Sequence, residues 1–453
     1  MAADTTAFAR GGARLVVLGG GGFRVPLVYR ALIGDPAVRE VVLYDTDPGR
    51  LSVIAAVLAE QGRSAERAGA RAPEVRVAAG LDDALRDADF VFSAIRVGGM
   101  AGRACDERIP LAEGVLGQET VGAGGVLYGL RTLPVATAIA KRVAAVAPRA
   151  WVINFTNPAG MVTEAMRAVL GDRVIGICDS PVGLVRRAAR AAGADPDRVG
   201  YDYVGLNHLG WLRRLEWRGR DLLPGLLADA AALATFEEGR LFGARWLGTL
   251  GSLPNEYLHY YYFTREAVAA AREAAATRGE FLDRQQAEFF GRAGADPAGA
   301  HRLWEAARLE REETYLAEAR QASGGWQRDA ADLDGGGYDR VALALMRALS
   351  GAAPARLVLN VRNGGTVPVL DEEAVVEVAC EVDETGVRPL PVAPPDAHQA
   401  GLMLSVKAVE RAAIEAAATG SRSHAVRALA LHPLVDSAAV AERIWRRAQS
   451  AKV

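Results

Sequence analysis

A chain of 453 residues with 50% hydrophobic and 24% charged side chains has the balance of a soluble globular protein, long enough for two or three domains. A formal net charge of −2 gives no electrostatic reason to expect nucleic acid or an anionic membrane as a partner. The three cysteines, Cys105, Cys178 and Cys380, are too few and too scattered for a disulfide framework, so a reducing cytoplasm is expected.

Met1 to Arg14 has no apolar core of the signal-peptide kind. No stretch reaches the ~18 uninterrupted apolar residues of a membrane span. The run Leu15-Val16-Val17-Leu18 reads as a strand, ends in Gly19-Gly20-Gly21-Gly22, and is followed by helical spacing from Val25 to Ile33. Strand, glycine turn and helix in that order are the context of a dinucleotide fingerprint, although the third glycine of the usual pattern is replaced by Arg24. Glycines there let the backbone approach a pyrophosphate, and the helix N-terminus presents unpaired N–H groups to it.

A second strand, Val41 to Tyr44, ends at Asp45, where a carboxylate can accept hydrogen bonds from an adenosine ribose and disfavours a 2′-phosphate. The same residue also fits a helix cap ahead of Asp47-Pro48. Further strands are expected at Val75–Ala78, Phe90–Ile95, Trp151–Phe155 and Val174–Ile177, with a short helix over Leu81–Asp89. Alternating β and α elements argue for an α/β fold with a doubly wound parallel sheet. Beyond Trp217 the pattern predicts long helices at Ala267–Phe290 and His301–Ser323. A late β segment follows at Arg356–Val361 and Ala374–Val378, then a loop at Pro391–Pro395 and helices from about Ala400. A domain boundary is placed near residue 200.

Cys178 ends the sixth strand, and ligands of open α/β sheets bind at the carboxyl ends of strands. With His208, thirty residues on, it could hold a divalent ion and leave positions open for substrate. A buried free thiol and a satisfied core histidine are the plainer account of such a pair.

Several ordered stretches sharpen the choice. They are the glycine turn, Leu43-Tyr44-Asp45, Ile95-Arg96-Val97-Gly98, and Arg103 with Asp106 to Leu111. Gly117-Gln118-Glu119-Thr120 follows, then Asn154 to Pro158, Cys178 to Pro181, and Gly205 to Gly210. Last come Pro254-Asn255-Glu256-Tyr257-Leu258 and Asn360-Val361-Arg362-Asn363. Together they resemble glycoside hydrolase family 4, the NAD- and metal-dependent phosphoglycosidases, over nearly the whole chain, and most closely the 6-phospho-β-glucosidase branch.

The resemblance implies a Rossmann-type, lactate/malate-dehydrogenase-like fold, with an NAD-binding domain at 12–200 and a C-terminal α+β domain at 201–453 for substrate, metal and oligomerisation. It also implies hydrolysis by redox elimination: NAD⁺ takes hydride from C3 of the sugar, a base removes the C2 proton, the C1 group leaves, water adds and C3 is reduced again. Gly19, Gly20, Gly21, Gly22, Phe23, Arg24, Asp45 and Arg96 would bind the cofactor. Cys178 and His208 would hold Mn²⁺, although such a pair also suits zinc or iron. Tyr257 would be the base, Asp179 the acid and Glu119 the residue that tunes the base, while Arg103, Asn157 and Arg278 would contact substrate. Asp179 departs from the β branch, where Asn commonly follows the cysteine; Cys-Asp is more typical of 6-phospho-α-glucosidases. A homodimer or homotetramer acting on a sugar (phospho)glycoside is expected. The competing readings are a lactate/malate-type dehydrogenase, which needs no metal, and a non-catalytic NAD-binding sensor.

Overall fold

Six strands pair in parallel: β1 (Ala13–Leu18), β2 (Val38–Tyr44), β3 (Glu74–Val77), β4 (Phe90–Ser93), β5 (Trp151–Asn154) and β6 (Val174–Gly176). They lie in the order β3-β2-β1-β4-β5-β6, the doubly wound arrangement, whose direction reverses between β1 and β4. This computed structural model describes residues 12–329 and 337–451, so residues 1–11 of the N-terminal segment read above lie outside the described residues. Continuous apolar runs form the inner strands β1, β4, β5 and β6 because both faces are covered, whereas the edge strand β3 alternates charged and apolar residues and is exposed or half-buried. Leu15 and Val17 enter one core cluster and Val16 and Leu18 the other.

The sheet does not stop at β6. Seven more strands extend it: β7 (Gly200–Leu206), β8 (Leu209–Trp217), β9 (Arg220–Asp221), β10 (Leu253–Pro254), β11 (Ala355–Arg362), β12 (Val375–Asp383) and β13 (Gly386–Pro389). β11 joins β6 antiparallel through Asn360 opposite Gly176, and the order continues β12-β7-β8-β10. Residue 200 is the start of β7, which belongs to this same sheet.

Two long helices expected from periodicity are each broken. Ala267–Phe290 divides into Thr264–Glu273 and Arg278–Ala295, because Thr277 caps the second helix and forms a reciprocal capping box with Glu280. Arg278 thereby becomes the first residue of a helix rather than an interior one. His301–Ser323 divides into Ala300–Glu313 and Ala317–Ala322, with Leu316 in the left-handed region at φ 52°. The short helix over Leu81–Asp89 ends at Leu85. Among the described residues no helix is long and apolar enough to cross a membrane.

Candidate active site

The strand-to-helix turn after β1 is tightly built. Gly19 has φ 80°, and a Cβ there would lie 2.6 Å from the Ala94 carbonyl oxygen, so only glycine fits between the ends of β1 and β4. Asp45 does not cap the next helix; Asp47 does, accepting from the Arg50 N–H. Asp45 instead accepts from the Gly21 N–H at 2.9 Å and from the Asp47 N–H at 3.0 Å, bracing the glycine turn against the end of β2. Phe23 is buried edge-on against Phe289, and its carbonyl accepts from Trp304 Nε1 at 2.8 Å.

Beside this turn opens a cavity of about 900 Å³. Gly22, Phe23, Arg24 and Arg96 line it from the dinucleotide side. Cys178, Asp179, His208 and Tyr257 line it from the other side, and Arg103, Glu119, Asn157 and Arg278 complete the residues expected there. Gly19, Gly20, Gly21 and Asp45 stand outside its lining.

Cys178 and His208 are both buried. His208 Nδ1 is buried without a hydrogen-bond partner, and burial pushes the imidazole down to about 3, so the ring is neutral. An orphaned neutral imidazole nitrogen and a buried sulfur are a donor set suited to a divalent ion. Among the described residues no group of three or more His, Cys, Asp or Glu side chains is arranged to hold a metal. The Tyr257 ring stacks on His208 with centroids 3.7 Å apart, and its hydroxyl lies 3.2 Å from that of Tyr315. Burial, then the neighbouring Glu256 and Cys178, push the Tyr257 phenol well above its ordinary value. Asp179 remains partly exposed, with Arg24 4.0 Å away.

Glu119 is not a solvated loop carboxylate. It lies between Arg96 and Arg103, each at 2.8 Å, and Arg103 also donates to Glu107. Glu107 in turn accepts from the Gly279 N–H at 2.6 Å, which ties this network to the start of the Arg278 helix. Arg278 donates only to neutral oxygens, Thr314 Oγ1 and the Arg311 carbonyl, both at 2.7 Å. Among the described residues neither Arg278 nor Arg311 forms an ion pair, and Arg311 Nε is buried without a partner. Burial and then Arg103 lower Arg278 to about 10; burial, Arg24 and Arg278 lower Arg311 well below its ordinary value. Glu312 and Glu318 partly offset these charges from the same lining, but burial and the neighbouring arginines outweigh them.

Arg311, Tyr315 and Glu256 were not expected from sequence. Arg311 lies in a run of charged residues that reads as a solvated helix face, and Tyr315 is placed by the helix break at 314–316. Only Glu256 carried a signal, as the neighbour of Tyr257. It is buried, accepts from Ser180 Oγ, and is raised to about 8 by burial and then by Glu238.

A doubly wound sheet with a glycine turn at its switch point, opening on a large cavity lined by apolar and charged side chains, defines an enzyme of the dinucleotide-binding α/β class. The family 4 glycosyl hydrolase model matches residues 15–194 and the family 4 glycosyl hydrolase C-terminal domain model residues 203–435. The chain belongs to family 4 of the glycosyl hydrolases and is therefore a glycoside hydrolase. It is 32% identical over 448 residues to a probable 6-phospho-β-glucosidase of Bacillus subtilis (strain 168), covering 96% of this chain and 95% of that one. It is 30% identical over 451 residues to a maltose-6′-phosphate glucosidase of the same organism, covering 95% and 93%. Among solved structures, the 6-phospho-β-glucosidase of Thermotoga maritima with manganese, NAD⁺ and glucose-6-phosphate superposes with a TM-score of 0.79 at 25% identity, covering 97% and 98%. A malate dehydrogenase from Plasmodium falciparum, at 11% identity and a TM-score of 0.50, shares the fold alone, over 89% of this chain and 98% of that one.

Proposed function

We propose that the protein hydrolyses 6-phosphorylated β-glucosides with NAD and a divalent metal, Mn²⁺, as resident cofactors. The observation that carries this reading is the stack of Tyr257 on His208, a residue with an unpartnered buried nitrogen that lines the same cavity as Cys178, Arg278 and Arg311. Support comes from the Thermotoga maritima relative, whose structure holds manganese, NAD⁺ and glucose-6-phosphate.

When bound, NAD accepts and returns a hydride at C3 and the metal polarises the neighbouring sugar oxygens. Gly19 to Gly22, Phe23, Arg24, Asp45 and Arg96 would hold the cofactor, and Cys178 and His208 would hold the metal. The Tyr257 phenol, held up by burial first and then by Glu256 and Cys178, would ionise more readily with a cation beside His208. Tyr257 Oη then removes the C2 proton, and the Asp179 carboxyl protonates the departing C1 oxygen. Glu119 keeps Arg96 and Arg103 in place beside the ring. Arg278 and Arg311, with Arg103 and Asn157, receive the sugar phosphate; a dianion would give the two arginines the direct partner that no carboxylate supplies among the described residues.

A second reading, hydrolysis of 6-phospho-α-glucosides, is favoured by one residue, Asp179. It follows the cysteine as in the α branch and lines the cavity. We place the protein in the cytoplasm as a homodimer or homotetramer, which analytical ultracentrifugation tests. The two-domain division at residue 200 is proposed on the same footing, and limited proteolysis near that residue tests it. The decisive experiment is a panel of α- and β-p-nitrophenyl glucosides and galactosides, with and without 6-phosphate, each with and without NAD⁺ and Mn²⁺. Turnover of the 6-phospho-β-glucoside that needs both cofactors is expected. Equal rates without the phosphate, or without NAD⁺, reject the reading.

A further inference from the structure

The turn carrying His208 is held by a polar cluster that has no role in the chemistry above. Asn207 and His208 connect β7 to β8, with Leu206 paired to Leu209 across the turn. His208 has φ 61°, a left-handed conformation that a residue other than glycine keeps only where its surroundings impose it. Asn207 is clamped on both sides. Its Oδ1 accepts from the Ala159 N–H at 3.2 Å, and its Nδ2 donates to Glu377 Oε1 at 3.2 Å.

Glu377 lies within β12 and is completely buried, opposite Gly205 of β7 and Asn360 of β11. The oxygen that receives Asn207 also accepts from Asn360 Nδ2 at 2.9 Å, and the other oxygen accepts from the Tyr203 hydroxyl at 3.1 Å. Asn360 stands opposite Gly176, two residues before Cys178. A Cβ at Gly176 would come within 2.8 Å of the Asn360 Cβ, so these strands meet without slack. One carboxylate is therefore bonded to the residue before His208 and to the residue packed on the strand that leads to Cys178.

All three partners are neutral donors. A buried carboxylate without a cation is costly, and a glutamine could keep part of the same bonding without burying a charge. Burial pushes the Glu377 carboxyl up to about 7 against the three hydrogen bonds that favour its ionised form, and a cation held between the two side chains that Glu377 braces would favour that form further.

We propose that Glu377 is the positioning residue of the metal site: through Asn207 and Asn360 it sets the orientation of His208 relative to Cys178. The inference rests on the metal assignment proposed above. It is tested by titrating Mn²⁺ into the NAD-loaded protein, by calorimetry and by electron paramagnetic resonance of free Mn²⁺. Glu377→Gln is expected to weaken Mn²⁺ binding by about 10- to 100-fold, as partners that orient metal ligands typically do, with NAD affinity unchanged.

Asn207→Ala leaves the carboxylate bonded to Asn360 and Tyr203 and is expected to cost a similar loss. The double variant should lose little beyond the larger single effect, since both act through one linkage. In Co²⁺-substituted protein, Glu377→Gln should weaken or shift the thiolate-to-metal absorption band of Cys178, a signature that a merely stabilising residue would not move. Unaltered Mn²⁺ affinity in folded Glu377→Gln overturns the proposal, as does unaltered affinity in Asn207→Ala should the first variant not fold. Cys178→Ser, titrated alongside, keeps the two failures apart. Unchanged Mn²⁺ binding in that variant removes the metal assignment itself, whereas loss there with full binding in Glu377→Gln removes only the part given to Glu377.

Discussion

Replacing Glu119 by glutamine should destabilise the protein by an amount set by two ion pairs. The carboxylate lies 2.8 Å from both Arg96 and Arg103, with its side chain 15% exposed. Burial raises a carboxyl's pKa, but here the charges of Arg103 and Arg96 outweigh it and hold Glu119 down at about 2. The fall from an ordinary 4.5 to about 2 corresponds to roughly 3 kcal/mol of folding stability at neutral pH, at about 1.4 kcal/mol per unit. A folded-state value below the unfolded one contributes fully above pH 4.5 and is lost as pH falls from there through 2.

Glu119→Gln removes this contribution and leaves two guanidinium groups side by side. Breaking a buried pair from one end typically costs about 3–5 kcal/mol, the same order as the linkage figure. Urea unfolding followed by tryptophan fluorescence measures the difference. We expect the variant to be less stable by about 3 kcal/mol at pH 7, with the gap shrinking by more than half at pH 3. A gap below about 1 kcal/mol at pH 7, the level of an exposed ion pair, refutes the reasoning. Equal gaps at pH 7 and pH 3 refute it as well.

Asp45→Ala should raise the apparent KM for NAD⁺, and cofactor-stripped protein at full rate without added NAD⁺ would remove the cofactor assignment. Chelation should abolish turnover and Mn²⁺ restore it, while Cys178→Ser should lose metal and activity but keep NAD affinity; activity that survives exhaustive chelation rules the site out. Tyr257→Phe should lower the rate by about 10²- to 10⁴-fold with substrate binding retained. Products formed in D₂O should carry deuterium at C2, and their absence, together with no primary isotope effect on C2-labelled substrate, would remove the elimination route. Arg311→Met should raise KM for the 6-phosphorylated substrate by about 10- to 100-fold, the worth of a charge-assisted hydrogen bond, and leave KM for an unphosphorylated glucoside unchanged.

The parallel half of the sheet was legible in the sequence because its signals are local. Strands buried on both faces read as unbroken apolar runs, and the turn after β1 needs glycine whatever lies far away in the chain. The ordered short stretches likewise singled out Glu119, Cys178, His208 and Tyr257, which the fold brings to one cavity. The helix break at Ala274–Thr277 had a local signal too, Thr277 three residues before Glu280, hidden within an alanine-rich helical pattern.

Other features depend on long-range register, which no local periodicity encodes. That β11 adds to β6 antiparallel through Asn360 and Gly176, and so carries β7, with the His208 turn, to the Cys178 side of the sheet, is decided by tertiary pairing. Glu377 reads as one polar residue in an apolar strand until that pairing places it against Asn207, Asn360 and Tyr203. Arg311 reads as a surface charge until the fold buries it in a cavity wall, where among the described residues no carboxylate pairs with it directly. A strand or a glycine turn is selected by interactions with near neighbours in the chain, whereas the charge environment of a side chain is the sum over groups brought near it from distant segments, and only the closed sheet specifies which groups those are.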